Sequence, residues 1–217
     1  MGRYGCFNNR IMAGPVCMTL VAGCSFHAAA EPVRFVHRGV ASGTLIGDGG
    51  PASRINFGPA EFVIDATGDI GDRADLISGP GGERSGFEIR HLSATVSIGG
   101  LGSFDLRVPT RTYVVHRPGE ARVGFGMAGG FAPPDLYNGP LLAGLADWDM
   151  TTSISGQAPG GGLVFQWDAA EVLTDGGLLR LDFRSAVNWG FEAAVAPGPP
   201  VVACMVFGAL AAARRRR

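Results

Sequence analysis

Between Glu31 and Val195 apolar and polar residues alternate in short runs. Ala94-Thr95-Val96-Ser97-Ile98, Phe104-Asp105-Leu106-Arg107-Val108, Leu163-Val164-Phe165-Gln166-Trp167 and Leu179-Arg180-Leu181-Asp182-Phe183 each set their main apolar residues on one face, the period-two signature of a half-buried strand. Val33-Arg34-Phe35-Val36, Phe62-Val63-Ile64 and Thr112-Tyr113-Val114-Val115 are further strand candidates, rich in β-branched and aromatic residues. Turn signals separate them: Asp48-Gly49-Gly50, Gly79-Pro80-Gly81-Gly82, Gly99-Gly100, Arg117-Pro118-Gly119, Gly160-Gly161-Gly162 and Asp175-Gly176-Gly177. No helical period is sustained in this interval. The pattern predicts an all-β domain, an antiparallel β-sandwich of jelly-roll or immunoglobulin-like type. Gly129 to Asp147 is the irregular stretch. Pro133-Pro134 and Pro140 disfavour a strand there, so a long loop is expected, with a short helical turn near Leu141 to Leu145.

The two ends follow another pattern. Met1 to Arg10 carries Arg3 and Arg10 and no acid, Ile11 to Cys24 is apolar but for Thr19, and Ala28-Ala29-Ala30 offers small residues where a signal peptidase reads. This predicts a signal helix over residues 1–30, with Ala28 and Ala30 specifying cleavage before Glu31. Val21-Ala22-Gly23-Cys24 is a rival signal, a lipobox in which Cys24 would be acylated. At the other end Pro197, Gly198, Pro199 and Pro200 precede an uncharged run from Val201 to Ala213, closed by Arg214, Arg215, Arg216 and Arg217. Thirteen helical residues reach about 20 Å, short of a hydrocarbon core of about 30 Å, so this short hydrophobic helix suits a sorting or anchoring signal better than a permanent span. The arginines resist translocation and hold their end in the cytoplasm. Three parts result: a signal peptide (1–30), a β domain (31–195) and a sorting segment (196–217).

The order of proline motif, hydrophobic helix and arginine cluster, paired with an export signal, resembles the PEP-CTERM class of exosortase substrates in Gram-negative bacteria. Here the motif reads Pro197-Gly198-Pro199, with glycine where the family has glutamate. The resemblance covers the tail alone. It implies export, an inner-membrane-tethered intermediate, transfer by an exosortase-like enzyme, and a final place at the cell surface or in the extracellular matrix, with exopolysaccharide as a partner. An enzyme that requires the glutamate would leave the protein in the membrane.

Charge and cysteine usage agree with export. All 18 basic residues are arginine, and six lie in the targeting ends, which leaves 12 against 19 acids in between, a net charge of about −7. Such a surface suits solubility and argues against a nucleic-acid partner. Cys6, Cys17, Cys24 and Cys204 all lie in the ends, so the β domain has no disulfide, zinc-thiolate site or cysteine nucleophile. The absence of lysine removes a P-loop and Schiff-base chemistry, and no serine stands in a Gly-x-Ser-x-Gly elbow. No enzyme is expected.

A few constellations invite chemistry. Gly124-Phe125-Gly126-Met127-Ala128-Gly129 matches the dinucleotide-binding spacing, but prolines rather than a helix follow, and a glycine-rich strand and turn is expected. Asp65, Asp69, Asp72 and Asp75 are candidate ligands for a hard cation such as Ca2+, against the plainer reading of a solvated turn that includes Arg73. His37, His91 and His116 lie on three different strand candidates without ligand-like spacing, and are expected to be structural. Trp148, Trp167 and Trp189, with Tyr113 and Tyr137, are candidates for a sugar-stacking platform. Trp167 is in phase with core residues, whereas Trp148, flanked by Asp147 and Asp149, is the expected exposed aromatic. A calcium- or carbohydrate-binding module built on these residues is the alternative to a surface protein of unassigned activity.

Overall fold

The computed structural model describes residues 31–76, 85–129, 133–158, 161–167, 169–182, 185–186 and 188–196. The predicted signal helix and its cleavage residues Ala28 and Ala30, the Pro197 to Pro199 motif and the arginine cluster lie outside these residues. Fourteen strands occur among the described residues: β1 (Pro32–Ile46), β2 (Arg54–Asp69), β3 (Ala74–Asp75), β4 (Ser85–Ile98), β5 (Gly102–Asp105), β6 (Thr110–Arg117), β7 (Glu120–Met127), β8 (Asp135–Leu142), β9 (Ile154–Ala158), β10 (Gly162–Val164), β11 (Val172–Thr174), β12 (Gly177–Leu181), β13 (Ser185–Ala186) and β14 (Trp189–Val195). Three single-turn 3-10 helices, Gly50–Ser53, Ile70–Asp72 and Ala143–Leu145, are the helical content of the described residues.

The domain is all-β and antiparallel, as the alternation predicts. The strands do not separate into two free sheets, however. They form one path in the order β11-β12-β1-β2-β4-β6-β7-β8-β10-β13, curled into a half-barrel. Strand β4 is the joint. Its last part pairs with β2 and its first part with β6, so the same strand belongs to both halves. Between them Leu92 is an extra residue: Thr67 faces Ser93 and Gly68 faces His91. The bulge turns Leu92 outward, 72% exposed, and resets the alternation so that Ile89 before it and Ala94, Val96 and Ile98 after it all point to the core.

On one side of the joint the sheet nearly closes. Strand β1 pairs with β2 and β12, β12 with β11, and Leu106, just past β5, bridges to Thr174 of β11 while β5 pairs with β4. The run Phe104 to Val108 therefore carries strand pairing only as far as this bridge. β1 also pairs over its first half with β14, which in turn carries β9. The other half, β6, β7, β8, β10 and β13, stays open.

The expected loop from Gly129 to Asp147 contains a strand instead. β8 pairs with β7 and β10 despite Pro140. Arg122 faces Leu141 and Gly124 faces Asn138, so Gly139 and Pro140 together oppose Val123. Proline sits in a bulge, where a ladder hydrogen bond is already missing. The short helical turn survives as Ala143–Leu145.

The two halves meet through aromatic rings. Phe125 stacks on Trp167 at 6.1 Å between centroids, Phe62 meets Tyr137 edge-on at 5.4 Å, and Phe191 lies against both Trp148 and Trp189. Trp167 is core, as its phase predicts. Trp148, expected outside, is also buried. Its Nε1–H donates to the Thr152 carbonyl at 2.9 Å, and the turn leaves Asp147 in solvent while Asp149 faces Arg73. Charged neighbours along the chain say little about a side chain at a tight turn, where direction changes with every residue.

Candidate functional site

The acidic run does not converge. Asp65 points from β2 to Arg34 and makes a two-point contact with its guanidinium, and that pairing holds the arginine above its ordinary pKa. Asp69 caps the Ile70–Asp72 turn, its Oδ1 accepting from the Gly71 N–H at 2.8 Å and the Glu31 N–H at 3.2 Å. Asp72 and Asp75 stand in solvent. Among the described residues no group of three or more His, Cys, Asp or Glu is placed to hold a metal ion. The stacking platform fails for a different reason: all three tryptophans and both Tyr113 and Tyr137 are buried.

Two polar networks emerge, on opposite faces of β6. The inner one runs through the core. His37 of β1 and His91 of β4 both reach Thr112 Oγ1, each from Nε2 at 3.0 Å, and His91 Nδ1 meets Thr110 Oγ1 at 2.9 Å. Phe35, Phe125, Tyr137 and Phe191 ring the two imidazoles, with His91 stacked on Phe125 at 5.5 Å. His37 Nδ1 is buried with no partner. An orphaned buried N–H is rarer than a bare acceptor, so we assign the His37 proton to Nε2, which donates to Thr112. Thr112 then donates to His91 Nε2, and His91 Nδ1–H donates to Thr110. One direction of donation thus runs through the network, from His37 to Thr112 to His91 to Thr110. Burial pushes both imidazoles down to about 3, with the neighbouring His91 adding to the effect on His37. His116 stands apart and donates from Nε2 to the Trp148 carbonyl at 3.0 Å. The three histidines thus split into a core pair and a loop clamp.

The outer network is charged. Arg111 of β6 is held by Glu88 of β4 and, at 3.0 Å, by Asp135 of β8. One step along the strand, the Tyr113 hydroxyl donates to Asn138 Oδ1 at 2.6 Å. Both contacts cross β7 at a glycine. In register, Arg111 faces Gly126 and Gly126 faces Asp135; Tyr113 faces Gly124 and Gly124 faces Asn138. A Cβ at Gly124 would lie 2.3 Å from Tyr113 Cζ, so the ring lies flat over a strand that has no side chain there. The glycine spacing that resembles a dinucleotide motif is a strand and turn with another use: it bares the middle strand, while Val123 and Phe125, on either side of Gly124, fill the core. Burial, reinforced by Asp135, raises the Tyr113 hydroxyl well above its ordinary pKa, so it remains a donor.

Beside this network lies a groove of about 160 Å3, lined by Tyr113, Val115, Arg117, Arg122, Asp135, Asn138, Leu141, Leu163 and Phe165. It is smaller than the roughly 300 Å3 at which pockets for drug-sized ligands begin. Sequence reasoning named Tyr113 but missed Arg111, Arg122, Asp135 and Asn138. Their signal is weak because Arg111 and Tyr113 alternate with Thr112 and Val114, and only the register with Gly124 and Gly126 turns that alternation into a site. Among the described residues no helix is long and apolar enough to cross a membrane; the hydrophobic run Val201 to Ala213 lies outside them. No protein-family model, curated protein or solved structure matches this chain.

Proposed function

We propose that the protein is exported, tethered at the inner membrane by its C-terminal segment, passed to an exosortase-like enzyme, and deployed at the cell surface or in the extracellular matrix. There it serves as a binding or structural β domain rather than an enzyme, and exopolysaccharide is its proposed partner. One geometric observation supports the topology most. In the pairing of β1 with β14, Val33 faces Val195, and the Ala196 N–H donates to the Pro32 carbonyl at 2.9 Å. The predicted cleavage point before Glu31 and the predicted sorting segment therefore leave the sheet side by side, as suits a domain tethered at one spot.

A non-catalytic role is supported by where the reactive side chains go. His37 is enclosed in the core, His91 is half-buried and bonded to Thr110 and Thr112, and Asp149 is held by Thr151 and Arg73. Binding by the tryptophans loses its support because they are buried. Calcium binding by the Asp65 to Asp75 run loses its support because Asp65 serves Arg34, Asp69 caps a turn, and Asp72 and Asp75 stand in solvent without forming a ligand group among the described residues.

The intact mass of the protein recovered from membrane and extracellular fractions of its host tests the proposal. A species beginning at Glu31 and ending near Pro197 is the expected result. A species that retains Arg217 overturns the sorting step, and a lipid adduct on Cys24 replaces it with a lipoprotein route. Neutralising Arg214 to Arg217 is expected to weaken retention in the membrane.

A further inference from the structure

A second groove lies on the other half of the molecule, where β2, β1, β14 and β9 run side by side. Val63, Arg38, Gly190 and Gln157 face one another in register across these four strands. Two residues from Val63 along β2, Glu61 points to the same outer side. Arg38, Glu61, Gln157 and Asn188, all exposed, surround a space of about 330 Å3 over Gly190. We propose that this groove binds a neutral sugar of a polysaccharide chain through pairs of adjacent hydroxyls. The inference deepens the proposed partnership with exopolysaccharide and rests on that reading, while binding itself can be measured whatever route the chain takes.

The two arginines on this face of β1 behave differently. Arg34 is taken by Asp65, whereas Arg38, four residues along the same strand, makes no ion pair with Glu61. Gly190 accounts for the difference. A Cβ there would lie 3.5 Å from both Cβ and Cδ of Arg38, in ordinary van der Waals contact, so the arginine stem leans over the bare stretch of β14 and away from Glu61 on β2. Among the described residues the side chains of Arg38, Glu61, Gln157 and Asn188 have no hydrogen-bond or ionic partner. One guanidinium, one carboxylate and two carboxamides are therefore free around one space. Each is a planar fork of two donors, two acceptors or one of each, which suits two hydroxyls on neighbouring carbons. The opposite charges of Arg38 and Glu61 cancel locally, which favours a neutral ring over a uronate. Trp189, the large apolar residue of the lining, is 1% exposed, so an extended peptide finds no side-chain pocket here. The volume falls within the range of ligand pockets, which begins at roughly 300 Å3.

The test is an NMR titration of the purified full-length protein, in a detergent without a sugar headgroup, with gluco-, galacto- and manno-oligosaccharides, with a glucuronate oligosaccharide and with a neutral hexapeptide. With no exposed ring to stack on the sugar, a dissociation constant of about 1 mM is expected for at least one neutral oligosaccharide, unchanged by salt. The side-chain amide signals of Gln157 and Asn188 are expected to move. Arg38→Met keeps the stem over Gly190 and deletes the fork, and Glu61→Ala deletes the carboxylate. Asn188→Gly removes its amide at a φ of 60°, which glycine adopts freely. Each is expected to weaken binding by about tenfold without moving the melting temperature. Tighter binding of the glucuronate, binding of the peptide instead, full affinity in Arg38→Met and Glu61→Ala, or no shift up to about 20 mM neutral oligosaccharide would each overturn the proposal. Retention of the host's exopolysaccharide separates the two readings: if the three variants retain it as fully as the original protein, the partner stands and the groove falls. If the original protein binds oligosaccharides here but does not retain exopolysaccharide, the groove stands and that partner falls.

Discussion

Strand β6 separates two polar networks that solve the same problem in opposite ways. On its inner side Thr112 joins two neutral imidazoles, enclosed by aromatic rings. On its outer side Arg111 and Tyr113 join Glu88, Asp135 and Asn138 beside a groove. Inside, polarity is tolerated because hydroxyls and tautomers fit one another and no charge is present. Outside, charge is retained because water and opposite charges screen it. A polar group deep in a β domain is thus not by itself a site: the inner pair is tied into the fold by Thr112, while the charged groups keep to the other face.

The largest effect is expected where the two networks share a wall. Phe125 is fully buried, stacks on both His91 and Trp167, and sits between the two bared glycines. Phe125→Ala is expected to cost about 3–5 kcal/mol in urea unfolding and to disturb both networks. A loss under about 1 kcal/mol would show that the two faces are not tied together there.

Removing Arg111 leaves Glu88 and Asp135 partly buried beside one another's charge, with side chains 16% and 30% exposed. Arg111→Ala is expected to cost about 3 kcal/mol, and adding Glu88→Gln and Asp135→Asn is expected to restore part of it. If the triple variant is no better than the single one, the cost arises from lost packing and not from unpaired charge.

On the inner face, Thr112→Val keeps the shape of the side chain and deletes the hydroxyl that both histidines use. The expected loss is about 2 kcal/mol, with Thr112→Ser close to the original. The same network dictates a response to acid. Both histidines have folded-state values near 3, below the ordinary 6.5 of an unfolded chain, so the native state holds fewer protons than the unfolded one in that window. Their neutral form costs nothing above pH 6.5, and stability falls as pH drops from there towards 3, by about 1.4 kcal/mol per pH unit for each histidine. His91→Gln is expected to lower that slope by one histidine's share, whatever it does to stability at pH 7. An unchanged slope would remove the pair from the account of acid sensitivity.

The smallest effect belongs to the outer surface of the other half. Arg34 and Asp65 form an ion pair with side chains 56% and 40% exposed. Arg34→Ala is expected to change stability by under about 1 kcal/mol, less in high salt, which sets the scale for a charge contact with no role in either network.

What the sequence disclosed and what it hid follow from the same physics. Alternation in Ala94 to Ile98 and Leu179 to Leu181 marked strands because each has one dry face. It could not show that Leu92 is a bulge joining two halves of one sheet, since a bulge is a property of pairing and not of one strand. Pro140 misled because the rule against proline applies to a regular ladder, and here the ladder is interrupted. Trp148 misled because exposure at a turn depends on which way the chain bends. The glycines at 124 and 126 were recognised as strand residues, yet their purpose became visible only in the register with Arg111, Tyr113, Asp135 and Asn138. Local elements can be read from one stretch of chain; a site made of rows across three strands cannot.

The division between a neutral interior and a charged exterior is tested most directly by long-range nitrogen NMR of the histidine rings in the folded protein at pH 5. The account predicts that His37 and His91 are both neutral there, His37 protonated at Nε2 and His91 at Nδ1. An imidazolium signal from either ring while the protein remains folded would contradict it.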